Sequence, residues 1–133
     1  MKNSAEYLEK AQSSYAGALA CLEKKAFDSC VSRCYYAVFQ GAIAALSELT
    51  DFRPQAKATQ AEFNRRLVMR RKVFSGENGR TLLTLIEWRH RADYAPTSIS
   101  RQTAKASLAL ADAFLNAVTT RLGGHDGSKN EPS

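Results

Sequence analysis

The sequence has no run approaching the roughly 18 apolar residues that a bilayer-crossing helix requires, so no membrane association is expected. Its first residues, MKNSAEYLEKAQ, lack the apolar segment of a secretory signal, and the expected location is cytoplasmic. Cysteine is scarce and odd in number. Without an export signal, Cys21, Cys30 and Cys34 read as reduced thiols rather than a disulfide framework. Cys30 and Cys34 share a helix face, but no histidine or second cysteine pair stands at a supporting spacing. Small buried hydrophobes are the expected role, with no metal and no cofactor. No segment shows the alternation of a strand, no internal repeat is visible, and the glycines at 76 and 79 read as a loop rather than a phosphate cradle.

What is present is helical periodicity. At 133 residues and 44% hydrophobic content the chain suits one core, expected over 1–122 with a polar, disordered tail at 123–133. Leu8, Ala11, Tyr15, Ala18 and Leu22 step by three and four and predict a helix over 3–23. Phe27, Val31, Cys34, Val38, Ala42, Ala45 and Leu49 predict a second over 26–49, whose small residues let a neighbour approach closely. Pro54 suits the first turn of a third, to which Phe63, Leu67 and Phe74 give a weak apolar edge. A fourth is expected from the 75–79 caps to Tyr94, because Pro96 disfavours helical geometry at Ala95. A fifth starts after Ser98 or Ser100 and stops at Gly123–Gly124. The predicted fold is an all-α, largely antiparallel bundle of about five helices.

The net charge of +6 is uneven, since residues 53–91 hold ten Arg or Lys against three Glu and the remainder sums to −1. Its densest part, Arg65, Arg66, Arg70, Arg71 and Lys72, can form a helical stripe suited to phosphate contacts, or a solvated face that keeps the protein soluble. Arg91 adds charge nearby. The segment Arg89-His90-Arg91-Ala92-Asp93-Tyr94 crowds charge at the end of an apolar stripe of Leu82, Leu85 and Ile86. That stripe carries Arg89 onto or beside the buried face, where an unpaired guanidinium would be costly. Asp93 is its local i,i+4 partner, a pair worth about 0.2–0.5 kcal/mol. Tyr35 falls on the apolar face of the second helix. Tyr36, one position on, faces with Arg33 toward a cleft or the helix carrying Arg89. Trp88 is expected to pack a helix junction.

Ser32-Arg33-Cys34-Tyr35-Tyr36-Ala37-Val38-Phe39, preceded by Phe27-Asp28-Ser29, resembles the S-R-x-Y-Y-A-x-F signature of small stand-alone HEPN domains. Arg89-His90-Arg91-Ala92-Asp93-Tyr94 resembles the R-x-x-A-D-Y that follows it in that branch, and Ser100-Arg101-Gln102-Thr103-Ala104 fits the start of the final helix. The resemblance implies a homodimer through the face carrying Arg89, with two copies lining one cleft that binds RNA or a nucleotide. It also implies a toxin–antitoxin or antiphage setting with a small nucleotidyltransferase antitoxin as partner, and metal-independent endoribonuclease activity. Active members carry an arginine, a polar residue directly after it, and a histidine after four to six intervening residues. Arg89 matches the arginine and His90 the polar follower, but Tyr94 stands where the histidine belongs.

That departure bears on catalysis, because activating a ribose 2′-OH suits a group that titrates near neutrality, and tyrosine, at a reference pKa of about 10, is a poor base. Arg89, His90 and Tyr94 are the catalytic candidates, with Arg33, Tyr36 and Asp93 as supports. Tyr94 can donate a hydrogen bond to a phosphate oxygen or stack on a base, and His90 can substitute as base if the cleft turns it inward. His90 lies about 100° around the helix from Arg89, which sets an exposed or interface role against that one. Three functions stay open: an RNA-cleaving dimer, a non-catalytic subunit that binds or is modified at Tyr94 by a nucleotidyltransferase, and a plain helical scaffold.

Overall fold

The computed structural model describes the backbone of residues 3–49 and 59–130 and the side chains of these up to Gly123. Among them are five helices and no strand: α1 (Ser4–Glu23), α2 (Phe27–Leu46), α3 (Thr59–Glu62, wound on as a π-helix over Phe63–Arg70), α4 (Gly76–Tyr94) and α5 (Arg101–Asn130). The predicted start of the third helix at Pro54 lies outside the described residues.

Helix α2 is the centre, packed by α1, α4 and α5. Its period brings Cys30, Val31, Cys34, Ala37 and Val38 inward, and from Gly41 to Leu46 every residue is buried. Close packing there depends on the missing side chain of Gly41, since a Cβ would come within 2.8 Å of Leu115 Cδ2 on α5. Leu46, Leu82, Leu85, Val31, Val38 and Val118 are fully buried. Each contributes about 1.5–3 kcal/mol relative to exposure. Cys30 and Cys34 lie inside this core as free thiols. A hydrogen bond with Cys30, followed by burial, pushes the Cys34 thiol up and keeps it protonated.

The third segment contributes more than its weak apolar edge suggested. Phe63 is fully buried, its ring centroid 5.1 Å from Phe74 and 5.3 Å from Phe114 of α5. The 75–79 segment is also not a loop beyond Ser75. Ser75 Oγ accepts from the Asn78 amide and Asn78 Oδ1 from the Ser75 amide, a capping box that starts α4 at Gly76. Gly79 is buried inside the helix because a Cβ there would overlap the Asn64 carboxamide. Helix α4 ends at Tyr94, with Ala95 extended before Pro96. Ser100 caps α5 by accepting from the Thr103 amide at 3.1 Å. The backbone stays helical to Asn130, so Gly123–Gly124 does not stop it. Glycine weakens a helix by about 1 kcal/mol per residue without forbidding one. No helix among the described residues is long and apolar enough to cross a membrane.

Candidate functional site

Because Cys34 and Val38 turn inward, the same register leaves Tyr35 half-buried and Arg33 and Tyr36 exposed on α2. The Tyr35 ring stacks on Phe39 at 5.8 Å and meets Tyr36 edge-on at 5.2 Å. The last turns of α4 pass this aromatic surface. There the Arg89 guanidinium carbon lies 5.1 Å from the Tyr35 centroid and 5.3 Å from that of Tyr36. Arg89 Nη2 donates to Tyr36 Oη at 3.2 Å, and Nε faces Asp93 Oδ2 at 3.5 Å. Each cation–π contact is worth about 0.5–1 kcal/mol at such an exposed site, and the ion pair about 0.3–0.5 kcal/mol. Their combined effect is orientation. Roughly three of the five guanidinium N–H groups stay available to an incoming anion. Burial raises the Tyr35 phenol, with Arg89 pulling it the other way.

His90 and Tyr94 occupy a different face. Their rings lie 4.8 Å apart, tilted by 48°, and Tyr94 is 74% exposed. With Leu83 and Ile86, 51% and 38% exposed, they form one stripe along the outer side of α4. Within one protomer, therefore, Arg89 leans on α2 while His90 and Tyr94 point outward. Arg91 faces out too, 3.8 Å from Glu87. Trp88 is partly buried against the core.

Between α2 and the end of α4 runs a groove of about 380 Å³ lined by Asp28, Ser29, Ser32, Arg33, Tyr36 and Asp93. Asp28 Oδ1 accepts from the Ile99 amide at 2.8 Å, fastening the α4–α5 connection to the first turn of α2. The Ser32 hydroxyl faces Asp93 Oδ1 at 3.5 Å. Arg33 lies across Gly17 of α1, where a Cβ would come within 2.9 Å of its Nη1. Sequence reasoning gave Asp28, Ser32 and Gly17 no role. A signal was present for the first two: Asp28, Ser29, Ser32, Arg33 and Tyr36 recur as a polar ridge on an otherwise apolar helix.

The basic segment does not form the expected single stripe. Arg65 Nη2 and Arg66 Nη1 both bind the Glu62 carboxylate, at 2.7 and 3.4 Å, and the Arg66 side chain is only 16% exposed. The bond from Arg65 holds that carboxyl below its usual range. Arg70, Arg71 and Lys72 are exposed, but Lys72 has left the helix with φ of 55°. The α-helical spacing on which the stripe rested is replaced by π-helical winding and a left-handed exit.

Among the described residues, no three His, Cys, Asp or Glu side chains gather as a metal site requires. No curated protein is significantly similar to the chain. The family model for the HEPN domain matches residues 4–122, which takes in the α2 ridge, the Arg89 cluster and the Ser100 cap. The chain belongs to the HEPN domain family.

Proposed function

We propose that this chain is an RNA- or nucleotide-binding HEPN protein that works as a homodimer through the outer face of α4, in a cytoplasmic toxin–antitoxin or antiphage setting. The carrying observation is an oriented, incompletely occupied Arg89 guanidinium at the lip of a polar groove, next to an exposed stripe of Leu83, Ile86, His90 and Tyr94. A two-fold pairing of that stripe sets two copies of Arg89, His90 and Tyr94 around one cleft. Arg91 and the exposed Arg70 to Lys72 attract the RNA backbone. In the cleavage step His90 takes the ribose 2′-OH proton and the 2′-oxygen bonds to phosphorus. The P–O5′ bond breaks, leaving a cyclic phosphate and a 5′-oxygen that takes up, through water, the proton His90 accepted, which returns His90 to its neutral form. Arg89 stabilises the charge gathered on the phosphoryl oxygens, and Tyr94 donates to one of them.

The test is an end-labelled RNA incubated in chelator with the pure protein. Wild type is expected to cleave it and Arg89→Ala to leave it intact. Equal background cleavage by both ends the ribonuclease reading.

A second reading rests on Tyr94, which is 74% exposed and holds the position where active relatives have histidine. Here the chain is a non-catalytic subunit that binds a nucleotidyltransferase and is modified on this phenol. After co-expression with such an enzyme, intact mass is expected to show a nucleotidyl adduct that Tyr94→Phe abolishes. An unmodified chain that does not co-purify with the enzyme removes this reading.

A further inference from the structure

Gly17 stands well inside α1, half-buried, with alanine at 16, 18 and 20 around it. Glycine within a helix forfeits stability relative to alanine, so its presence here calls for a reason of space. That reason comes from α2. Leaving aside the atoms of α1 next to it, the three atoms nearest to a Cβ at position 17 all belong to Arg33: Nη1 at 2.9 Å, Cδ at 3.1 Å and Cζ at 3.5 Å. The backbone around Gly17 has no room to retreat. Ala11 and Ala18 are fully buried, and the Ser14 hydroxyl meets the Gln40 carboxamide of α2 at 2.8 Å. A side chain added at 17 therefore displaces the far end of Arg33 rather than α1 itself.

Arg33 also lines the α2–α4 groove, together with Asp28, Ser32, Tyr36 and Asp93. Asp28 accepts from the Ile99 amide, Asp93 faces Arg89 and Ser32, and Tyr36 accepts from Arg89. Of the charged groups in this lining, Arg33 is the one with no ion pair or hydrogen bond among the described residues. Its stem is packed while its N–H donors are uncommitted. A side chain held in that way loses less freedom when it binds a ligand than one that is free along its whole length. Arg33 and Tyr36, three apart on α2, share a helix face, so the seat at Gly17 lies beside the residue that orients Arg89.

We propose that Gly17 is a positioning residue: by withholding a side chain it seats the Arg33 guanidinium at the wall of the α2–α4 groove, where Arg33 touches bound RNA. This rests on the RNA-binding reading given above and adds to it a residue of α1, a helix that otherwise has no part in the site. Gly17 acts only through Arg33, so its effect vanishes when Arg33 is truncated.

Fluorescence anisotropy of a labelled single-stranded RNA, titrated with wild type, Gly17→Ala, Arg33→Ala, the Gly17→Ala/Arg33→Ala double variant and Arg89→Ala, tests this. Thermal melts and the arginine Nε–H resonances of the free proteins accompany it. Gly17→Ala is expected to lower the affinity about threefold or more, and Arg33→Ala about tenfold. The double variant is expected to match Arg33→Ala alone. The melting temperature of Gly17→Ala is expected to hold or rise by up to about 5 °C, which separates lost positioning from lost folding. The Arg33 Nε–H resonance, identified by its absence in Arg33→Ala, is expected to move in Gly17→Ala. Wild-type affinity in Gly17→Ala or in Arg33→Ala overturns the proposal, as do additive losses in the double variant or an unmoved Arg33 resonance. A melting temperature lowered by several degrees in Gly17→Ala also overturns it, because the backbone and not Arg33 would then be yielding. Loss of affinity with Arg89→Ala but not with Gly17→Ala removes this proposal and leaves the RNA-binding reading in place. No RNA binding by wild type removes both.

Discussion

Arg89 is a charged residue whose position is set by aromatic rings more than by its carboxylate. Asp93 was legible as a partner from i,i+4 spacing alone, but Tyr36 was not, because that hydrogen bond joins residues 53 apart in sequence. Tyr36→Phe removes the hydroxyl and keeps the ring under the guanidinium. It is expected to cost no more than about 0.5–1.5 kcal/mol in a urea unfolding titration. The same substitution is expected to weaken RNA binding measurably, which a purely structural hydroxyl would not do. Tyr35 adds a pH signature. Burial raises its folded pKa, so the neutral phenol's contribution is complete below the unfolded value of about 10 and is lost as pH rises through the folded one. Stability is therefore expected to fall above about pH 10, less steeply in Tyr35→Phe, as followed by thermal melts across alkaline pH.

Among the elements, α1, α2 and the end of α4 were readable in the chain because their apolar spacing is regular and Pro96 marks a stop. The segment from Thr59 to Phe74 was legible in its apolar edge, since Phe63, Leu67 and Phe74 are all buried, but not in its winding. Its winding changes from α to π at Phe63, so a 3.6-residue period misplaces the side chains that follow. Phe74 then completes the cluster from outside any helix. Phe114→Ala opens a cavity against Phe63 and is expected to cost about 3–5 kcal/mol in denaturant titration. A loss under about 1 kcal/mol would show that the aromatic cluster is not the joint between α5 and the π-helical segment. Ser75→Ala removes half of the capping box and is expected to cost about 1 kcal/mol. The glycines at 76 and 79 look like loop residues in sequence, yet both lie within α4. Local chemistry cannot reveal that Gly79 makes room for Asn64.

The whole molecule divides its surface into a basic side around Arg70 to Lys72, a polar groove between α2 and α4, and an outward apolar stripe on α4. The fold class and the Arg89 motif were legible because one follows from periodicity and the other from residue identity. The separation of Arg89 from His90 and Tyr94 onto two faces was legible only as an angle, and under the proposed pairing its consequence depends on a second copy. Ile86→Asp places a charge in the stripe and is expected to shift the protein from dimer to monomer in sedimentation. Its folded stability should change little, since Ile86 is already 38% exposed. The most direct measurement is fluorescence anisotropy of a labelled single-stranded RNA titrated with wild type and Arg89→Ala at several salt concentrations. The account predicts salt-dependent binding by wild type and an affinity lower by about tenfold in the variant, with a shallower salt slope. Superimposable curves for the two proteins, or no binding by wild type at low salt, would contradict it.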